Sequence, residues 1–162
     1  ANVSGNGARY GSLAEYLVFS DSWGTNRGYI WKASFRMYQK LKPIHKLFGF
    51  GPDTFGIMTT DKIMAEMIDA TGQIFDNAHN AYIQYFVTIG PIGALAYVVF
   101  LISGIGRITK KRARSPYALA CAVAVLCYVC QAMVNLDLPI ATPIMWLLMS
   151  AGMGIAGKRR EN

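Results

Sequence analysis

Three stretches of this chain contain no Asp, Glu, Lys, Arg or His: residues 81–106, 117–136 and 138–157, which are 26, 20 and 20 residues long. A helix of about 20 apolar residues crosses the roughly 30 Å hydrocarbon core of a bilayer, so each run is long enough to span one. A soluble fold would have to bury all three inside a single core built from 162 residues. Charged residues make up only 15% of the chain, against about a quarter in an ordinary soluble domain. Gly90-Pro91 interrupts the first run, because proline cannot continue a helix and glycine tolerates the break. That leaves an entry segment over about 78–89 and expected spans over about 91–109, 117–136 and 138–157.

The net charge of +7 is unevenly placed. Residues 1–80 carry 8 basic and 7 acidic side chains, whereas Arg107, Lys110, Lys111, Arg112 and Arg114 follow the first run and Lys158, Arg159 and Arg160 follow the third. Short loops rich in Lys and Arg stay on the cytoplasmic side. The two clusters are separated by two spans and so agree with each other. The turn Asn135-Leu136-Asp137 has no basic residue and belongs outside, as do residues 1–80. A basic patch of this kind can also meet nucleic acid or anionic lipid, but the flanking apolar runs favour the topological reading, with membrane lipid as partner and no nucleic acid. The expected fold is therefore all-α: a polytopic membrane protein fragment, with an extracytoplasmic helical loop region over 1–80 and three transmembrane helices with a cytoplasmic tail over 81–162.

Cys121, Cys127 and Cys130 lie inside the second run and have no nearby fourth ligand, which favours packing over metal or redox chemistry. The outer segment has no cluster of metal ligands either, and neither a metal nor a cofactor is expected.

Residues 1–80 read as short helices joined by glycine-rich connections. Arg9–Ser20 places Tyr10, Leu13, Ala14, Leu17 and Val18 on one helical face, and Asn26–Leu41 does the same with Ile30, Trp31, Ser34, Phe35, Met37, Tyr38 and Leu41. Thr25 or Asn26 is the expected N-cap of the second helix. Arg27 then falls in its first turn, where a cation opposes the helix dipole. Either Arg27 is a solvated arginine or it answers to an anion bound at that helix end. A further helix is expected near Asp61–Ala70. Phe48-Gly49-Phe50-Gly51-Pro52 describes a tight turn whose glycines allow close backbone approach. Asp76 or Asn77 can cap the helix leading into the first run, placing His79 near its N-terminus. That position keeps the ring neutral and able to accept a proton, though a lone histidine also serves structural ends. His45 reads as a surface residue.

Asn26-Arg27-Gly28-Tyr29-Ile30-Trp31, then Gly49-Phe50-Gly51-Pro52-Asp53-Thr54-Phe55, then His79-Asn80-Ala81-Tyr82-Ile83-Gln84 with Gly90 and Gly93, resembles in order and spacing the C-terminal part of the O-antigen ligase and polymerase superfamily, in the style of its Gram-positive members. The resemblance covers about residues 20–106. Asn77-Ala78 stands where relatives often have a basic residue and proline, and the many upstream helices of such proteins are not in this chain. It begins at Ala1 and is expected to be a C-terminal fragment that is inactive alone.

The resemblance implies a multi-pass protein of the bacterial plasma membrane that transfers glycan on its outer face. The donor is a glycan on a polyprenyl diphosphate, such as undecaprenyl diphosphate, and the acceptor is a glycan or lipid-linked hydroxyl. It further implies His79 as general base, Arg27 with Arg36 as ligands of the donor diphosphate, and Gly49 and Gly51 as an active-site turn. Arg27 and His79 are expected to face a common cleft. Attack from the face opposite the diphosphate would invert the anomeric carbon without a metal. The alternative is a non-enzymatic membrane scaffold or a transporter fragment, which would use the same spans but give no reason for Arg27, the Gly-Phe-Gly-Pro turn and His79 to precede one.

Overall fold

The structure, a computed structural model, describes residues 7–110 and 115–157. Lys111, Arg112 and Arg114 of the first basic cluster and Lys158, Arg159 and Arg160 of the second lie outside the described residues. The described chain is helical throughout. A 3₁₀ segment, Gly7–Leu13, precedes α1 (Ala14–Leu17), α2 (Trp23–Gln39), α3 (Pro43–Phe48), α4 (Phe55–Met58), α5 (Asp61–Thr71), α6 (Ala81–Thr88), α7 (Gly90–Thr109), α8 (Pro116–Gln131) and α9 (Ala141–Gly157). These form two compact units. The first takes the chain up to His79 together with Ile83–Pro91, and the second takes Asn80–Tyr82 and the chain from Ile92 onward.

In the first unit, α2 is the central element. Its buried face carries Ile30, Ala33, Ser34 and Met37, packed with Phe55 and Met58 of α4, Met67 of α5, Phe75, Ala78 and Val87. Ser34 tolerates burial because its hydroxyl donates to the Ile30 carbonyl at 2.7 Å. The 3.6-residue spacing read from the sequence is thus the core-facing stripe, while Phe35 on its margin is exposed. α5 starts after an extended Thr60 with Asp61 in its first turn, where a carboxylate favours the helix dipole, and ends at Gly72 in the left-handed region. The helix expected over Arg9–Ser20 is broken. Gly11 adopts φ 51°, leaving a 3₁₀ segment and a four-residue helix, and Tyr10, Leu13 and Leu17 are exposed instead of forming a buried face.

The start of α2 also departs from expectation. Gly24, Thr25 and Asn26 have φ of 60°, 60° and 67°, so a left-handed turn precedes Arg27 and neither Thr25 nor Asn26 is in the extended geometry of a conventional N-cap. Gly24 adopts this region freely, but for Thr25 and Asn26 it is costly. The turn is followed closely by Gly28, where a Cβ would lie 1.8 Å from the Ser20 carbonyl oxygen. Only glycine lets the Ser20–Asp21 backbone cross the helix there, and the Tyr29 N–H closes the crossing by donating to the Asp21 carbonyl at 3.0 Å.

The Gly-Phe-Gly turn grips the end of α6. The N–H groups of Phe50 and Gly51 donate to the Thr88 carbonyl at 2.8 and 2.9 Å, satisfying an acceptor that a helix C-terminus leaves open. Gly49 (φ 66°) has no room for a Cβ, which would fall 1.9 Å from that same oxygen, and Gly90 (φ 74°) would place one 2.2 Å from the Leu47 oxygen. The expected break at Gly90-Pro91 is present as the start of α7.

In the second unit, Leu101 and Ile108 of α7, Ala118, Ala122 and Val125 of α8, and Met145 and Met149 of α9 form the core. Gly152 allows close packing, since a Cβ there would come within 2.9 Å of Cys121 Cβ and Ile108 Cδ1. The three cysteines are free thiols, and Cys121 packs at this contact. The N–H of Ala81 donates to the Ala132 and Asn135 carbonyls at 2.9 and 3.0 Å, and the Asn80 amide to the Met133 carbonyl at 2.6 Å. Tyr128 donates its hydroxyl to Asp137 Oδ1 at 2.6 Å and accepts from Thr142 at 2.6 Å, closing the α8–α9 turn.

α7, at 20 residues, is long and apolar enough to cross a membrane. The other two charge-free runs form shorter apolar helices, Pro116–Gln131 and Ala141–Gly157. Leu95 and Ile102 of α7, Leu119 and Val123 of α8, and Ile144 and Leu147 of α9 point outward, where a water-facing helix would carry polar residues.

The Gly49 grip generates a stability prediction. Gly49→Ala combines a left-handed backbone with a clash against fixed backbone and should cost about 2 to 4 kcal/mol. Gly56→Ala, which meets nothing within 4 Å, should stay within about 0.5 kcal/mol. Thermal unfolding of the two variants in detergent measures the difference, and equal midpoints would contradict the grip.

Candidate active site

His79 sits on a strained turn two residues before α6, with φ 48°. Asn77, expected to cap that helix, instead caps the turn: its Oδ1 accepts from the His79 N–H at 3.0 Å, while its amide donates to Asp76. Asn80, not Asp76 or Asn77, is the residue immediately before α6. Gln84, inside α6, reaches back to accept the Ala78 N–H at 2.9 Å. A buried Ala78 and the edge of the buried Phe75 ring, 5.8 Å from the imidazole, complete the support. A left-handed residue outside glycine persists only where its surroundings over-determine it. Here two amide side chains and a buried aromatic do so.

Arg27 reaches this turn through α2. Trp31, one helical turn beyond Arg27 and on the same face, donates its indole N–H to the Ala78 carbonyl at 3.0 Å. The residue next to His79 is therefore tied to the helix that begins with Arg27. The electrostatic consequence is a His79 pKa held below its ordinary 6.5, first by burial and then by the positive charge of Arg27, with Asp76 pulling the other way. The ring is neutral at pH 7 and available to accept a proton. The cause differs from the sequence reading, in which the helix N-terminus supplied the effect.

The guanidinium of Arg27 is only partly engaged. Nη1 donates to the Gly24 carbonyl at 2.7 Å, within the left-handed turn, while Nε is buried and has no hydrogen-bond partner. A buried unpaired donor is unfavourable, and an anion at this point would satisfy it.

The remaining expected site residues are placed elsewhere. Arg36 lies nine residues along α2 from Arg27, about 13 Å at 1.5 Å per residue. It is exposed over the Tyr29 ring and shares a hollow of about 110 Å³ with Lys40, Ile63 and Glu66. That hollow lies away from Arg27. Gly49 and Gly51 meet Thr88, at the opposite end of α6 from His79. The eight residues of α6 span about 12 Å, and this turn fixes the helix at its C-terminal end. His45 is more than a surface residue: its ring stacks on Phe50 at 3.9 Å and its Nδ1 hydrogen-bonds with the Gly49 carbonyl at 3.0 Å. Among the described residues no group of three His, Cys, Asp or Glu is placed to hold a metal ion.

Trp31, Asn77 and Gln84 were not singled out as site residues from the sequence. Trp31 is four residues from Arg27 and Gln84 five from His79 in the motif, but both pair with backbone groups of Ala78 that carry no sequence signature.

The family described as O-antigen ligase matches residues 4–98, more than half of the chain, and the chain belongs to that family. No curated protein and no solved structure matches it. At family level this is a membrane protein of polysaccharide biosynthesis, acting in glycosyl transfer of the O-antigen ligase or polymerase type.

The site predicts a pH response. Because the folded protein binds the His79 proton more weakly than the unfolded chain, the unfolded state takes up more protons as pH falls through 6.5, and this contribution to stability is lost below that value. NMR titration of His79 should give a midpoint below 6.5, and Arg27→Gln should raise it. A midpoint unmoved by Arg27→Gln would remove the electrostatic link between the two residues.

Proposed function

We propose that this protein moves a glycan from a polyprenyl diphosphate to an acceptor hydroxyl at the outer face of the bacterial plasma membrane. The observation that carries the reading is the pairing of a neutral His79 with a neighbouring Arg27 whose buried Nε lacks a partner. The reaction needs these two groups. The acceptor hydroxyl must lose a proton as its oxygen bonds to the anomeric carbon, and His79 accepts it. The bond from that carbon to the diphosphate oxygen breaks with its electron pair staying on the diphosphate. Arg27, with a planar fork of donors, neutralises the growing charge once Nη1 lets go of the Gly24 carbonyl. The cation takes the place that a metal has in other phosphate-leaving reactions, so transfer proceeds without one. Attack opposite the leaving group inverts the anomeric configuration.

The proposed membrane arrangement follows the charge pattern. α7 spans, and α8 and α9 with their flanking residues form a hairpin whose turn, at Asn135–Asp137, lies outside. Arg107 and Lys110 then face the cytoplasm, and the residues before α6 are extracytoplasmic. This puts His79 and Arg27 at the level where a polyprenyl carrier presents its diphosphate. A scaffold or transporter role would leave the paired Arg27 and His79 without a task.

His79→Gln keeps a polar side chain but removes the base, and should lower the rate of transfer from a polyprenyl diphosphate donor by about two to four orders of magnitude. Arg27→Lys keeps the charge but loses the two-pronged contact with phosphate, and should lose most activity while inserting normally. Labelled-glycan transfer by the full protein in native membranes measures both. Near-normal rates in either variant would overturn that residue's role.

A further inference from the structure

Residues 19–23 read Phe-Ser-Asp-Ser-Trp, and the two aromatic ends of this segment meet Trp31 in a three-ring cluster. Ring centroids are 5.7 Å apart for Phe19 and Trp23, 5.4 Å for Trp23 and Trp31, and 6.0 Å for Phe19 and Trp31, the last pair being nearly parallel. Both indoles are fixed by their N–H groups, Trp31 on the Ala78 carbonyl at 3.0 Å and Trp23 on the Tyr16 carbonyl at 2.9 Å. None of the three rings is buried: Phe19 is 39% exposed and the indoles are half-buried. The cluster is thus rigid and partly open, and it abuts the residue that precedes His79.

The polar groups around it are also arranged. Lys32 Nζ lies 2.7 Å from Asp21 Oδ1 and 5.6 Å from the centre of the Phe19 ring. The hydroxyls of Ser20 and Ser22 are 3.1 Å apart.

An open aromatic cluster suits either a membrane interface or the flat C–H face of a pyranose ring. The rim decides between them. The side chains of Lys32 and Asp21 are 54% and 63% exposed, so the rings open onto charged hydrogen-bonding groups beside the turn that carries His79, an edge that sugar hydroxyls can use and hydrocarbon cannot. A pyranose needs what the surface offers: an apolar face to stack on a ring, and hydrogen-bonding groups around the edge for its hydroxyls.

We propose that Trp23, braced by Phe19 and Trp31 and rimmed by Asp21 and Lys32, forms a stacking surface for the pyranose rings of the glycan substrate. The proposal rests on the glycosyl-transfer reading and adds to it the subsite that holds sugar beside His79. Pre-organisation is built in, because the two indole hydrogen bonds hold the rings before a ligand arrives and little is lost in ordering them.

Trp23→Leu separates the alternatives. Leucine keeps affinity for lipid but has no flat π face. With the lipid-linked glycan extracted from the source cells as donor, and the full protein in native membranes, Trp23→Leu should raise KM for donor or glycan acceptor about tenfold, the worth of a good ring contact. The loss should fall on KM and not on kcat. Trp23→Phe should recover most of it. Equal behaviour of the leucine and phenylalanine variants, or a loss confined to kcat, would overturn the stacking role. His79→Gln run in parallel tests the underlying reading: if it transfers at the wild-type rate, that reading fails, whereas its loss alongside an unaltered Trp23→Leu defeats only the sugar surface.

Discussion

The hydrogen bond from the Trp31 indole to the Ala78 carbonyl, joining residues 47 apart in sequence, is the contact on which the candidate site depends. It fixes the backbone just before His79 against α2, the helix that begins with Arg27. Ala78 is fully buried, so its carbonyl has to find a donor within the protein. An indole can supply one while burying apolar area in the same core. Loss of this bond would free the turn that holds His79 in its left-handed conformation.

The motif that identifies the family is largely a set of backbone constraints. Gly28 admits the Ser20–Asp21 crossing, Gly49 and Gly90 admit the contact between the α3–α4 connection and the α6–α7 junction, and Gln84 ties the turn before α6. Among the described residues, Arg27 has a buried Nε without a partner and His79 has a lowered pKa, both beside this backbone framework. Gly49 and Gly90 thereby set where α6 stops.

Much of this was legible in the sequence. Helical spacing located α2 and α5, Gly90-Pro91 marked the break between α6 and α7, and the motif order pointed to the family. The differences have physical causes. Absence of charge does not make a run helical throughout: the runs 117–136 and 138–157 hold helices of 16 and 17 residues, because the Tyr128–Asp137–Thr142 bonds close a turn and Pro139 cannot donate to a continuing helix. Apolar spacing over 9–20 could not foresee that Gly11 would leave the helical region. The Gly-Phe-Gly turn binds the end of α6 at Thr88, a backbone partner that the motif spacing does not reveal. Arg36 shares a helix with Arg27, but Glu66 and Lys40, distant in sequence from one another, determine its surroundings.

The proposed transfer requires the anomeric carbon and its diphosphate to lie between His79 and Arg27. The most direct measurement is a cryo-electron microscopy structure of the full protein with a non-hydrolysable polyprenyl diphosphate glycan bound in a lipid nanodisc. The account predicts the Arg27 guanidinium released from the Gly24 carbonyl, with Nε and a terminal nitrogen on the diphosphate oxygens, and the His79 imidazole on the opposite side of the anomeric carbon. A diphosphate seated away from Arg27, or a His79 ring on the same side as the leaving group, would contradict it.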